Sequence, residues 1–137
     1  MMLIDLEASF FRYLYETLEV AHGVTILDDI TLRDYDGLSK WVVIDSLTNN
    51  IGPQPKQLYF LHIAVQKGGE NEKDDLIRLV DLVMQVIYYG AAIPVYSYAS
   101  GEVIGGTQVV ETSLSPVMPH FSGGKYRSMT VGLVYQA

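Results

Sequence analysis

The sequence predicts an α+β domain: a mostly antiparallel sheet of about five strands with two main helices, in the order helix, hairpin, helix, hairpin, strand. Three observations lead there. Apolar residues recur with helical period over residues 3–21 and again over 74–89. Strand-like runs come in pairs separated by turn-forming residues. Helices are few and do not alternate with strands, which argues against a doubly wound parallel sheet.

The first helix spans residues 3–21. Leu3, Leu6, Phe10, Leu14 and Ala21 form its apolar face, widened by Ile4, Phe11 and Leu18, while Asp5, Ser9, Arg12, Glu16 and Glu19 form the polar one. His22-Gly23 ends it, with glycine supplying the left-handed residue. A short strand is expected over 24–27, followed by the acidic connector DDITLRDYDG. Residues 40–47 (KWVVIDSL) and 57–66 (QLYFLHIAVQ) form the first hairpin, and the breaker TNNIGPQP at 48–55 forms its tip. At about eight residues that tip is longer than a simple hairpin turn, which implies a role beyond turning.

The 57–66 strand is apolar on both faces. Its odd positions, Tyr59, Leu61, Ile63 and Val65, are the better core face; Leu58, Phe60, His62 and Ala64 also need partial cover. Gly68-Gly69 then turns the chain and Asn71 is placed to cap the second helix. In that helix Asp74, Arg78, Asp81 and Gln85 make one narrow polar stripe, so about three quarters of its circumference calls for burial. Residues 93–98 and 102–112 form the second hairpin, and Gly105-Gly106 inside it marks a bulge or a close backbone approach. Residues 113–124, rich in Pro, Gly and Ser, are expected as a loop. In the closing strand, 125–135, Met129, Val131, Leu133 and Tyr135 face inward and Ser128, Thr130 and Gly132 face away.

Length and composition place residues 1–137 in a single domain. With 49% apolar and 18% charged residues the chain is no disordered segment. It has no cysteine, hence no disulfide, thiolate metal site or thiol nucleophile. No segment reads as a signal peptide or a membrane span. The net charge is −7 and the nine Lys and Arg residues are scattered, whereas phosphate recognition requires clustered cations.

The motifs of catalysis and metal binding are weak. His22, His62 and His120 lack any i, i+4 partner histidine, and His62 reads as a hydrogen-bonded or interface residue. Asp28, Asp29, Asp34 and Asp36 precede Gly37, but only Asp34-x-Asp36-Gly37 matches a calcium loop, so a solvated turn is favoured. Gly101-x-x-x-Gly105-Gly106 lies within a hairpin and not before a helix, so it is no phosphate cradle. No GxSxG elbow occurs. The reading is non-enzymatic, with no cofactor and no metal.

The sequence FLHIAVQKG, the helix DDLIRLVDLVMQVI, the paired tyrosines of VYSY, the hairpin GEVIGG and the terminal MTVGLVY follow an N-terminal helix in this order. Together they resemble the tail terminator (tail-completion) proteins of long-tailed bacteriophages, over nearly the whole chain. The resemblance implies a homo-oligomer, a hexameric ring in the virion tail or neck, assembled in the host cytoplasm. Such a ring caps the tail tube, stops its growth and joins it to the head connector; tube protein and connector protein are the implied partners. DNA would pass without specific binding, and no membrane is involved. The family has no catalytic residues to carry over. Two alternatives stay open: another neck or head–tail joining protein, and a small ligand-binding or enzymatic domain. Interface residues expected from the uncovered strand face are Leu58, Phe60 and His62, and from the tips Asn49, Asn50, Ile51, Val117, Met118 and Phe121.

Overall fold

A computed structural model describes residues 3–28, 37–50, 56–66, 72–119 and 124–136, with backbone alone at 48–50. Helix α1 (Leu3–Leu14) continues through a π-helical turn (Tyr15–Val20) in which the Thr17 hydroxyl donates to the Tyr13 carbonyl at 2.7 Å. Gly23, at φ 71°, ends it in the left-handed conformation expected of that glycine. Strands β1 (Thr25–Leu27), β2 (Lys40–Asn50) and β3 (Lys56–Val65) follow, then helix α2 (Glu72–Val86). Strands β4 (Ala92–Tyr96), β5 (Val103–Leu114), β6 (Met118–Pro119) and β7 (Lys125–Gln136) complete the chain.

The fold is α+β, with one sheet in the order β1-β2-β3-β7-β5-β4 and β6 paired to β7. The seven strands among the described residues are the expected five, the short strand expected over 24–27 (β1), and the unexpected two-residue β6. All pairings are antiparallel except β1 with β2, which makes the sheet mixed. Both expected hairpins form. The first is longer than its sequence predicts: after a bulge between Ser46 and Thr48 the ladder continues to Asn50 opposite Lys56. Asparagine disfavours strands only weakly, and a ladder already aligned overrides that preference. Residues 113–124 are likewise not all loop, since Ser113 and Leu114 pair with Thr130 and Met129, and Met118 pairs with Tyr126.

The sheet curls around α1. In a flat sheet β2 and β4 would stand four strand spacings, roughly 19 Å, apart, while a helix with its side chains is only about 10 Å across. Yet Glu7 accepts the Ser46 hydroxyl of β2 at 3.0 Å, and Ser9, two residues on, accepts the Tyr96 amide of β4 at 2.8 Å. Between them Phe10 stacks on Tyr59 of β3, with ring centroids 4.4 Å apart. Helix α1 therefore closes the seam between the two sides of the sheet.

That position explains a departure from the helical wheel. Asp5 and Ser9, on the polar face, are buried, because they satisfy amides at the end of the edge strand and just past it: Asp5 accepts the Tyr98 amide, two residues beyond β4, at 2.8 Å. Leu3 and Ile4 are exposed instead. At the other end of the helix, Glu19 accepts the Ile26 amide of β1 at 3.0 Å. Side chains of one helix thus blunt both sheet edges.

The main core lies on the concave face. There Val42, Ile44, Tyr59, Leu61, Ile63, Val65, Met129, Val131 and Leu133 meet Phe10, Leu14 and Leu18 and the Leu76, Leu79, Val80 and Val83 line of α2. The odd face of β3 is the core face, as its four apolar positions predict. Tyr135 is half-buried at the rim, where its ring covers Gly105: a Cβ there would sit 2.7 Å from Tyr135 Cζ. Beside it β4 and β5 lose register between Val95 and Tyr96, so the glycine pair marks both a bulge and a close approach. Helix α2 is less covered than its composition predicts. Ile77 and Met84 on it, and Tyr88 just past its end, are exposed, because one helix side suffices to close the core. No helix among the described residues is long and apolar enough to cross a membrane.

Candidate interaction surface

Both helices pack on the concave face, so among the described residues the convex face is covered mainly by the sheet's own side chains. Strand parity puts Leu58, Phe60, His62 and Ala64 of β3 there, and direct pairing fixes their neighbours. Ala64 lies between Trp41 and Tyr126, His62 between Val43 and Ser128, and Phe60 between Asp45 and Thr130. Met118 pairs with Tyr126 and so shares this face. The face is graded. At one end Trp41, Val43 and Ala64 form a small second core with Leu27, Leu38 and Tyr126 packed against it. Toward the other end His62, Phe60 and Leu58 are only half-buried.

Of the sequence-predicted interface residues, Leu58, Phe60, His62 and Met118 therefore come together on one surface. Val117, beside Met118, is exposed. Asn49 and Asn50 belong to β2 and not to a loop tip. Ile51 and Phe121 lie outside the described residues, as do Asn71, His120 and most of the acidic connector.

At the centre of the face, His62 Nδ1 is 2.7 Å from Ser128 Oγ and its Nε2 is 3.5 Å from Asp45 Oδ2. The second distance is too long for a good hydrogen bond, and Nε2 has no other partner among the described residues. Phe60 and Tyr126 meet the imidazole edge-on, with centroids 6.0 and 5.9 Å away. Neither Asp45 nor Ser128 stands out in the sequence. Alternation puts Ser128 on the outward face, but only strand order brings it beside a histidine 66 positions away.

Serine, histidine and aspartate in one row have the residue types of an acyl-transfer triad. The surroundings do not complete one, since a developing oxyanion needs free N–H donors. The Ser128 amide already donates to Ser115 Oγ, and its carbonyl accepts the Ser115 amide, each at 2.8 Å. The backbones of His62 and its neighbours are held in ladders on both sides. What the row does provide is a fixed polar centre within an apolar patch.

Recesses also lie elsewhere among the described residues. A groove of about 480 Å³ between α2 and the β2–β3 pair has Val65, Leu79 and Leu82 as its apolar floor, with Lys40, Asp75 and Arg78 around it. A smaller recess of about 330 Å³ lies against α1, lined by Glu7, Phe11, Asp28, Ile44, Ser46 and Tyr59. Burial, and then the Glu7 carboxylate, push the Tyr59 hydroxyl well above its ordinary pKa, although the hydrogen bond from Gln57 acts the other way. Among the described residues no group of three or more His, Asp or Glu is placed to hold a metal ion. No protein-family model matches the chain, and no curated protein matches it either.

Proposed function

We propose that this chain is a non-enzymatic structural subunit of a long-tailed phage virion. Copies close into a ring of six that caps the tail tube, stops its growth and joins it to the head connector. One observation carries the reading beyond the resemblance: the chain has more apolar surface than its described elements cover. Leu58 and Phe60 are half-buried on a sheet face that neither helix crosses, Ile77 and Met84 are exposed on α2, and Tyr88 is exposed just past its end. Contiguous apolar surface of this kind marks contact with another chain. The convex face, with His62 as its polar centre, is the surface assigned to the neighbouring subunit. An acidic chain with few cations suits a ring through which DNA passes without sticking.

The test has two parts. Light scattering on a sizing column should give six times the chain mass at rising concentration or in the presence of tube ends. Particles assembled without this chain should carry tubes of unregulated length under the electron microscope. Tubes of normal length in its absence would remove the terminator role. Binding to connector rings but not to tube ends would move the chain to the head–tail joining proteins.

A further inference from the structure

We propose that the groove between α2 and the β2–β3 pair seats an acidic side chain from a second copy of this chain, held between Lys40 and Arg78. This rests on the ring reading above and assigns it a second contact, distinct from the convex face.

The groove is chemically two-layered. Its floor is aliphatic, from Val65 of β3 and Leu79 and Leu82 of α2, and at about 480 Å³ it is large enough for a side chain and part of its backbone. Lys40 and Arg78 line the same recess, and neither makes an ion pair with a described residue. Asp75 lines the same groove three residues before Arg78, a spacing that permits a helical ion pair, yet the two do not pair. With no partner among the described residues, the Arg78 guanidinium can grip a carboxylate through its two-pronged edge, with the lysine as a second point charge.

The occupant follows from charge. The chain carries sixteen acidic and nine basic residues, so any second copy offers carboxylates in excess. Among the described residues that line the recess, two cations, Lys40 and Arg78, outnumber the one acid, Asp75, which makes it the complement of that surface, and complementary charge fixes register between partners. A ring also requires a head-to-tail contact, in which a patch on one copy meets a different patch on the next. A groove that receives and an acidic side chain that enters have this asymmetry.

The experiment compares wild type with the Lys40→Glu/Arg78→Glu double variant by light scattering, with circular dichroism as the fold check. Carbodiimide coupling, which joins a lysine amine to a touching carboxylate, is run on a mixture of ¹⁴N and ¹⁵N copies. The expected result is a folded double variant whose association is weakened roughly tenfold or more, and a wild-type peptide joining Lys40 to an acid of the other isotope. Should the charge reversal unfold the chain, Lys40→Met/Arg78→Met and the coupled peptide decide. A variant ring of wild-type size and concentration dependence, with Lys40 absent from inter-copy peptides, overturns the groove contact and leaves the ring standing. A wild-type chain that forms no ring, alone or on tube ends, overturns the ring reading and the groove contact with it.

Discussion

Ser9 of α1 accepts the Tyr96 amide at 2.8 Å across 87 residues of chain, and this contact closes the curled sheet on its first helix. It also hides the last amides of an edge strand, which otherwise templates pairing with other chains. Ser9→Ala leaves that amide without its partner and should cost about 1–3 kcal/mol. Urea denaturation measures it, with the midpoint falling and the slope unchanged. A loss below about 0.5 kcal/mol, the range of ordinary surface changes, would show that water replaces the serine.

Gly105 lies under the Tyr135 ring, whose hydroxyl donates to the Ile104 carbonyl at 2.9 Å. Gly105→Ala drives a methyl into that ring and should destabilise by about 1–3 kcal/mol. In the Gly105→Ala/Tyr135→Ala pair the clash is gone, so the double change should cost less than the sum of the two. Simple additivity in thermal unfolding would mean that the ring moves aside freely.

Phe60 and Leu61 are adjacent but serve different surfaces. Leu61 is fully buried in the concave core, whereas Phe60 is half-buried on the convex face. Leu61→Asp should unfold the chain, since an unpaired charge in a core costs more than about 4 kcal/mol. Phe60→Asp should leave a folded monomer that no longer forms the ring. Circular dichroism and light scattering on the two variants separate the outcomes, and a Phe60→Asp ring of normal size would place the subunit contact elsewhere.

Alkaline pH should act through two tyrosines. Burial raises the pKa of Tyr59 and of Tyr13 above the ordinary value of 10.0, helped by Glu7 at the first and Tyr88 at the second. Folding thus favours the protonated form of each. Their contribution is fully present below about pH 10, the unfolded value, and is lost as pH climbs above it toward the raised folded values. Stability should be flat with respect to these groups through neutral pH and fall above pH 10. Absorbance at the tyrosinate band should show two residues ionising late, and Tyr59→Phe should remove one of them. All tyrosines titrating together near pH 10 in the folded protein would contradict this.

The convex face, the groove and the core were legible in the sequence to different degrees. Four consecutive odd apolar positions, Tyr59 to Val65, determined which face of β3 is core, because a strand alternates whatever its neighbours are. Gly23 determined where α1 ends, since a left-handed residue is a local requirement. Tertiary structure alone decided that β3 lies between β2 and β7. Several strands share the same alternation, and only packing selects among their pairings. From that choice came the His62–Ser128 contact. The placing of Lys40 near Arg78 was likewise decided by how α2 packs on the β2–β3 pair. The same holds for Asp5 and Ser9. A helical wheel sends them to solvent, and only the curl of the sheet brings the Tyr96 amide of β4 and the Tyr98 amide just beyond it within their reach.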